Sequence, residues 1–272
     1  MSKKILVALV SIPVIVLFGM MISNIILGGH EGLSWDYFVT EVARSGKSGG
    51  IGPVLVSTII VVLMTLLIST PFSFCCAVFL SLVVSKNRFI LGFSEISLSL
   101  LSGLPSIVFG LFGSALFGQT LGLGYSLLSG ALTLSCMVLP FYTKILYDNF
   151  KILPREYLLS AKALDLSLFQ TSKNVLIPMN LYAIAAGAIF SMSRALGETA
   201  ALVFTSGYVD RYPHSIFDSG RTLSIHIYDL ALNVPAGDQA AMKASFVFLL
   251  LSLSINFLFS VVLKKTLQRG TR

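Results

Sequence analysis

The sequence predicts an all-α integral membrane protein, a bundle of six transmembrane helices with a short cytoplasmic helix, and three observations predict it. The first is composition: of 272 residues 55% are hydrophobic and only 11% charged, with a mean hydropathy of +0.88, outside the range of ordinary soluble domains. The second is six apolar runs, each long enough for the roughly 20 residues that a membrane crossing needs. The third is a lopsided distribution of lysine and arginine between the segments that join those runs.

The runs fall at about 5–27, 53–83, 89–117, 123–147, 175–206 and 241–263. Several exceed the minimum, so they are tilted, broken or protruding. Together they leave little chain for a soluble domain, and residues 1–272 are read as a single membrane domain. Lys3 and Lys4 before the first run also suit a cleaved signal peptide. The stretch from Ile5 to Leu27 is long enough to span and ends without a small-x-small cleavage site, so it is read as a retained anchor.

Thirteen lysines and arginines lie on one side of this layout, in the two termini and the segments around 84–88 and 144–174. Five lie on the other: Arg44, Lys47, Arg211, Arg221 and Lys243. Both termini are therefore expected in the cytoplasm, with outward segments at about 28–52 and 207–240. The net charge of +7 follows this topology rather than a nucleic-acid surface, because the basic residues flank hydrophobic spans. Cys75, Cys76 and Cys136 sit inside apolar segments as small hydrophobes. His30, His214 and His226 lie scattered in the outward segments without metal-site spacing and are expected to be solvated, so no metal ion or other cofactor is expected.

The cytoplasmic segment at 148–174 is long, carries both charge signs and has helical apolar spacing. Leu153 and Pro154 can start a helix. Tyr157, Leu158, Ala161, Leu164 and Leu168 then recur at intervals of three and four, with Arg155, Glu156, Lys162 and Asp165 between them. Such a helix lies along the membrane surface, either as an interfacial anchor or as a docking surface for a cytoplasmic partner.

The run Ser193-Arg194-Ala195-Leu196-Gly197-Glu198-Thr199-Ala200 places two charges inside an apolar span. Each charge costs about 2.5–3.5 kcal/mol at the centre of a membrane helix, so ions retained there usually face a bundle interior or a polar path. A spacing of four puts Arg194 and Glu198 on one helix face, where they are expected to pair. The pair either fixes packing, or Arg194 attracts an anion while Glu198 tempers its affinity so that it can leave. In Gly103-Leu104-Pro105-Ser106-Ile107-Val108-Phe109-Gly110-Leu111-Phe112-Gly113 the glycines and proline weaken a helix and allow close backbone approach. Backbone N–H groups freed by Pro105 and the Ser106 hydroxyl are then candidate anion donors, against the plainer reading of tight helix packing. Glu95 lies seven residues after Arg88, about 10 Å along a helix, and is expected near the inner interface, solvated or paired.

These stretches resemble the membrane permeases of bacterial phosphate-specific (Pst) ABC importers, and within them the A-type subunit. The match is carried by Gly49-Gly50-Ile51-Gly52-Pro53 leading into Ser57-Thr58, the 103–113 run, the Arg194 to Ala200 run and the outer Ile227-Tyr228 before the last span. The resemblance implies the type I ABC importer permease fold in a bacterial inner membrane, half of a translocation pathway for inorganic phosphate. It implies as partners a second homologous permease, two ATP-binding subunits and an extracytoplasmic phosphate-binding protein. It assigns Arg194, Glu198, Thr199 and Ser106 to the substrate pathway. It makes residues 154–173 the coupling segment, with Arg155, Glu156, Leu159, Ser160, Ala161 and Asp165 facing the ATPase. There the match is degraded: Leu159, Ser160 and Ala161 stand where Glu-Ala-Ala is usual, and Asp165 where glycine supplies a sharp bend. Aspartate tolerates left-handed geometry better than most residues, so the turn is expected to persist.

The chain has no Gly-x-x-x-x-Gly-Lys-Ser/Thr run, so ATP hydrolysis is expected from a separate subunit and the permease itself is not an enzyme. Two alternatives stand beside this reading. Spacing alone does not separate phosphate from other oxyanions such as tungstate, molybdate or sulfate. A membrane-embedded enzyme acting on a phosphorylated lipid, with Arg194 on the head group and Glu198 as acid or base, lacks a second carboxylate, histidine or metal cluster near that depth.

Overall fold

A computed structural model describes the backbone of residues 3–270 and the side chains within it apart from 3–10, 86, 155, 258–259 and 262–270. Helix α1 (Lys3–Gly29) is followed by the short α2 (Trp35–Val39) and a two-stranded hairpin, β1 (Val42–Ala43) and β2 (Ser48–Gly49), in antiparallel register. Helix α3 (Gly52–Leu82) starts with Pro53 in its first turn, where the missing N–H is harmless. The chain continues through α4 (Arg88–Ser102), α5 (Ser106–Gly113), a π-helical turn (Ser114–Thr120) and α6 (Leu127–Ile152). On the far side of α6 lie α7 (Arg155–Ala163), α8 (Leu168–Thr171), α9 (Ile177–Met179) and α10 (Leu181–Leu196). The chain closes with α11 (Ala200–Val203), α12 (Leu223–Leu232) and α13 (Asp238–Gly270).

Four helical stretches are long and apolar enough to cross a membrane alone: Ser11–Gly29, Gly52–Leu82, Leu127–Ile152 and Asp238–Phe257. The other two expected spans are not single rods. The run read as 89–117 is α4 and α5 joined at a 94° bend, and the run read as 175–206 is Leu168–Met179 and Leu181–Leu196 joined at 77°, followed by α11. Physical causes are visible in the chain. Gly103 and Pro105 interrupt the backbone hydrogen-bond ladder at the first bend, because proline lacks an N–H and restricts the residue before it. Gly197 ends α10. With each bent pair counted as one span there are up to six.

The core is the long contact between α3 and α6, with Val61, Val62, Leu134, Met137 and Val138 buried in it. Hydroxyls line the same seam. Thr65 Oγ1 donates to its own Val61 carbonyl at 2.8 Å and across to Ala131 at 3.4 Å, and Ser135 Oγ donates to Ala131 at 2.7 Å and across to Thr65 at 3.3 Å. Small and hydroxyl residues bring these helices close because the lipid itself offers no hydrophobic drive between them. By contrast α1 meets α13 at its C-terminal end, where Gly28 and Gly29 pack on Met242 and Phe246.

Candidate translocation site

Three interruptions of helix are drawn together. The first is the Gly103–Pro105 break that starts α5 at Ser106, whose side chain is half-buried. The second is the Gly197–Thr199 break between α10 and α11. They are neighbours because α5 packs on α11 at Gly110: a Cβ there would lie 2.8 Å from Ala201 Cα and 3.2 Å from the Ala200 carbonyl oxygen, so only glycine allows this approach. Ser106 lies one turn from Gly110, about 6 Å along the helix.

The third interruption is the start of α12. The Leu223 N–H donates to Thr58 Oγ1 of α3 at 2.8 Å, and the Ser224 hydroxyl donates to the Glu198 carbonyl at 2.7 Å. Gly220 leaves room for the Ser57 hydroxyl, which a Cβ would approach to 2.7 Å. The Ser57-Thr58 pair noted in the sequence thus fastens the 220–224 segment to α3.

The expected pairing of Arg194 with Glu198 does not form. Helix α10 stops at Leu196, so the two residues do not share a continuous helical face, and the ion pairs among the described residues do not include them. Glu198 turns instead to the next helix, where its Oε1 accepts from the Ala201 N–H at 3.4 Å. Arg194 sits half-buried in the last turn of α10, an end that favours a cation. Beside it the Ser193 hydroxyl donates to Asn256 Oδ1 of α13 at 3.2 Å. Thr199 is half-buried at the start of α11, and its carbonyl accepts from the Val203 N–H at 3.0 Å.

The segment expected to couple to the ATPase forms two short helices with a sharp bend. Asp165 has φ of 49°, in the left-handed region. The Leu166 N–H donates to the Ala161 carbonyl and the Asp165 N–H to the Lys162 carbonyl, both at 3.0 Å, the paired bonds of a Schellman end with aspartate in place of glycine. Ser167 and Gln170 then form a capping box that restarts the chain as α8. Glu156 and Ser160 are exposed, as is Leu159 at 61%. Ala161 is 3% exposed and packs inward, so it faces no partner, against the sequence reading. The predicted apolar stripe divides likewise, since Leu164 and Leu168 point outward at 72% and 57% exposure beside Phe169 at 75%. The backbone of Arg155 starts α7, and its side chain lies outside the described residues.

Glu95 is paired, one of the two states expected of it. It binds the Lys151 ammonium and accepts from Tyr147 Oη at 2.8 Å, in a cleft of about 470 Å³ between α4 and α6.

Sequence reasoning missed the buried polar core of the 207–240 segment. His226, expected in solvent, is fully buried, and the Arg221 guanidinium, itself 9% exposed, lies 3.2 Å from Asp229. Burial, and next the nearby Arg221 cation, push the His226 imidazole down to about 4. A signal was present: Leu223, His226 and Leu230 recur at spacings of three and four, which puts the histidine on the apolar face of α12.

The family described as "Binding-protein-dependent transport system inner membrane component" matches residues 69–270. The chain is 30% identical over 262 residues to the probable ABC transporter permease protein YqgI of Bacillus subtilis, covering 89% of both chains. It is 29% identical over 254 residues to the phosphate transport system permease protein PstC of Xylella fastidiosa, covering 82% of this chain and 76% of that protein. Its fold is similar to that in the crystal structure of a bacterial ABC transporter involved in the import of the acidic polysaccharide alginate, with a TM-score of 0.70, 12% identity and coverage of 97% and 96%. That likeness gives the fold of type I ABC importer permeases. The chain belongs to the binding-protein-dependent transport system inner membrane components, and within them to the ABC permeases of the Pst type.

Proposed function

We propose that this chain is the A-type permease half of an ATP-driven importer of inorganic phosphate in a bacterial inner membrane. The observation that carries this reading is the meeting of three helix interruptions, at Pro105–Ser106, Gly197–Thr199 and Thr222–Ser224, beside an arginine without a carboxylate within ion-pair distance among the described residues. Broken helices inside a membrane are tolerated where they line a cavity, and there they offer backbone donors to an anion. The absence of an Arg194–Glu198 pair strengthens the case. The Arg194 guanidinium, with no carboxylate within ion-pair distance among the described residues, attracts phosphate, and Glu198 nearby limits how tightly the anion is held so that it can leave.

The mechanism divides the work among subunits. A second, related permease completes the pathway, an external binding protein delivers phosphate to the side bearing segments 28–52 and 207–240, and of two ATPase subunits one docks on the exposed Glu156, Leu159, Ser160 and Asp165 of this chain's coupling segment. Both termini face the cytoplasm. Closure of the ATPase pair pushes on α7 and α8, and the motion passes to α10 through the bend at Asn180.

The test is ATP-dependent uptake of radiolabelled phosphate into proteoliposomes containing the full complex, with tungstate, molybdate and sulfate as competitors. Arg194→Ala and Glu198→Ala are expected to abolish uptake while assembly and basal ATP hydrolysis persist. Native uptake in both variants refutes the site, and preferential uptake of a competitor refutes phosphate.

A further inference from the structure

Arg221 is 9% exposed in the outer segment. Its guanidinium meets three other titratable groups: Nη1 lies 3.2 Å from Asp229 Oδ2 and 3.4 Å from His226 Nδ1, and Nη2 lies 4.0 Å from Asp210 Oδ2. Nε donates to the Tyr208 carbonyl at 3.0 Å, and the Arg221 backbone N–H to the Val209 carbonyl at 2.7 Å. From outside, the hairpin tip closes on this cluster, with a Cβ on Gly46 falling 2.8 Å from His226 Cε1. Burying such a cluster gains little net stability, because the cost of desolvating the ions offsets their attraction. Its geometry is therefore the better guide to its use.

Immediately after Arg221 come the two bonds that fasten α12 to the candidate site, Leu223 N–H to Thr58 and Ser224 hydroxyl to the Glu198 carbonyl. Residues 220–224 thus form a strap, held at one end by the ion cluster and at the other by the Glu198 break. We propose that Arg221 is a positioning residue for transport: anchored by Asp229, Asp210 and His226, it sets the strap so that Ser224 keeps the break between α10 and α11 open to substrate. Arg221 touches no substrate and acts through Ser224 and Glu198. The inference rests on the permease role proposed for that break.

Two variants test it. Arg221→Lys keeps the charge but loses the planar fork that holds several acceptors at once. The double variant Arg221→Met with Asp229→Leu removes the buried pair together, so that no buried charge is left unpaired, and it loses the Arg221 bonds to the Tyr208 carbonyl and to His226 Nδ1; the Asp210 side chain is 40% exposed and stays hydrated. Two readouts are taken on the purified complex. One is the alkylation rate of a Thr199→Cys reporter in a background with Cys75, Cys76 and Cys136 changed to alanine, and the other is the KM for phosphate uptake.

Both variants are expected to assemble and fold, the double variant with a midpoint lowered by its lost bonds, while the reporter reacts about tenfold more slowly and KM rises about tenfold, the scale of a small misplacement at a site. A native reporter rate and native KM in either folded variant overturn the inference. So does uptake that falls only in proportion to the amount of folded complex, or failure of both variants to fold, which makes Arg221 a folding residue. If the unmodified complex takes up no phosphate, the phosphate reading falls by itself, and the reporter rate still decides the strap.

Discussion

Gly110→Ala is the sharpest test of how α5 and α11 share a site. The added Cβ would sit 2.8 Å from Ala201 Cα and 3.2 Å from the carbonyl oxygens of Ala200 and Ala201. All three neighbours are backbone atoms, so no side chain can rotate aside. Carbon atoms pack at about 3.5–4.0 Å, so the two helices must part by roughly 1 Å. Overpacking of this kind costs about 1–3 kcal/mol, while replacing a mid-helix glycine by alanine gains about 1 kcal/mol. Net stability therefore changes by about 0–2 kcal/mol, a small loss, yet the displacement falls between the Ser106 and Glu198 breaks. Misplacement by about 1 Å can cost a site on the order of a hundredfold, so uptake should fall far more than stability. Gly92→Ala is the control, since nothing lies within 4 Å of its Cβ position. The measurements are the thermal midpoint of the purified complex and phosphate uptake in proteoliposomes. Native uptake by Gly110→Ala, with a midpoint raised like that of Gly92→Ala, would refute the packing argument.

Further outcomes follow from the coupling turn and the outer segment. Asp165→Gly relieves a left-handed residue and should raise stability by about 1 kcal/mol, while Asp165→Val should unfold the turn and uncouple ATP hydrolysis from uptake, both read on the complex. His226 is held neutral when folded, with a value of about 4 against 6.5 for the unfolded chain. The unfolded chain therefore binds the extra proton between those values: stability is fully present above pH of about 6.5 and is lost as pH falls towards about 4, by at most on the order of 3 kcal/mol. Thermal midpoints between pH 7 and 5 should drop for the native chain and drop less for His226→Gln. Ser224→Ala orphans the Glu198 carbonyl, costs about 1–3 kcal/mol, and should lower the midpoint together with uptake.

How much of this was legible in the sequence depends on the length scale of each signal. Spans read well because an apolar run of membrane length has few other uses. The weakness at Gly103 and Pro105 was also readable, but hydropathy carries no axis direction, and the 94° bend was not. Pairing of Arg194 with Glu198 assumed that the helix continues through Gly197, which instead caps α10. Helix α12 lay hidden because its ten residues are too short for a span, and its polar letters suggested water. The Asp165 bend was foreseen because its cause is local, the tolerance of a single residue for left-handed geometry.

The hydroxyl seam between α3 and α6 has a mechanical consequence. Thr65 and Ser135 each keep a short bond to a carbonyl of their own helix and a longer one across the seam. If the cross-seam bond breaks, neither hydroxyl is orphaned, because its proton already has a home. At Thr65 and Ser135 the seam is therefore a slip joint rather than a weld: either cross-seam bond can be released and remade without exposing a bare hydroxyl to lipid. A transporter that must rock between two faces thousands of times gains from having its tightest interface also be one of its most forgiving.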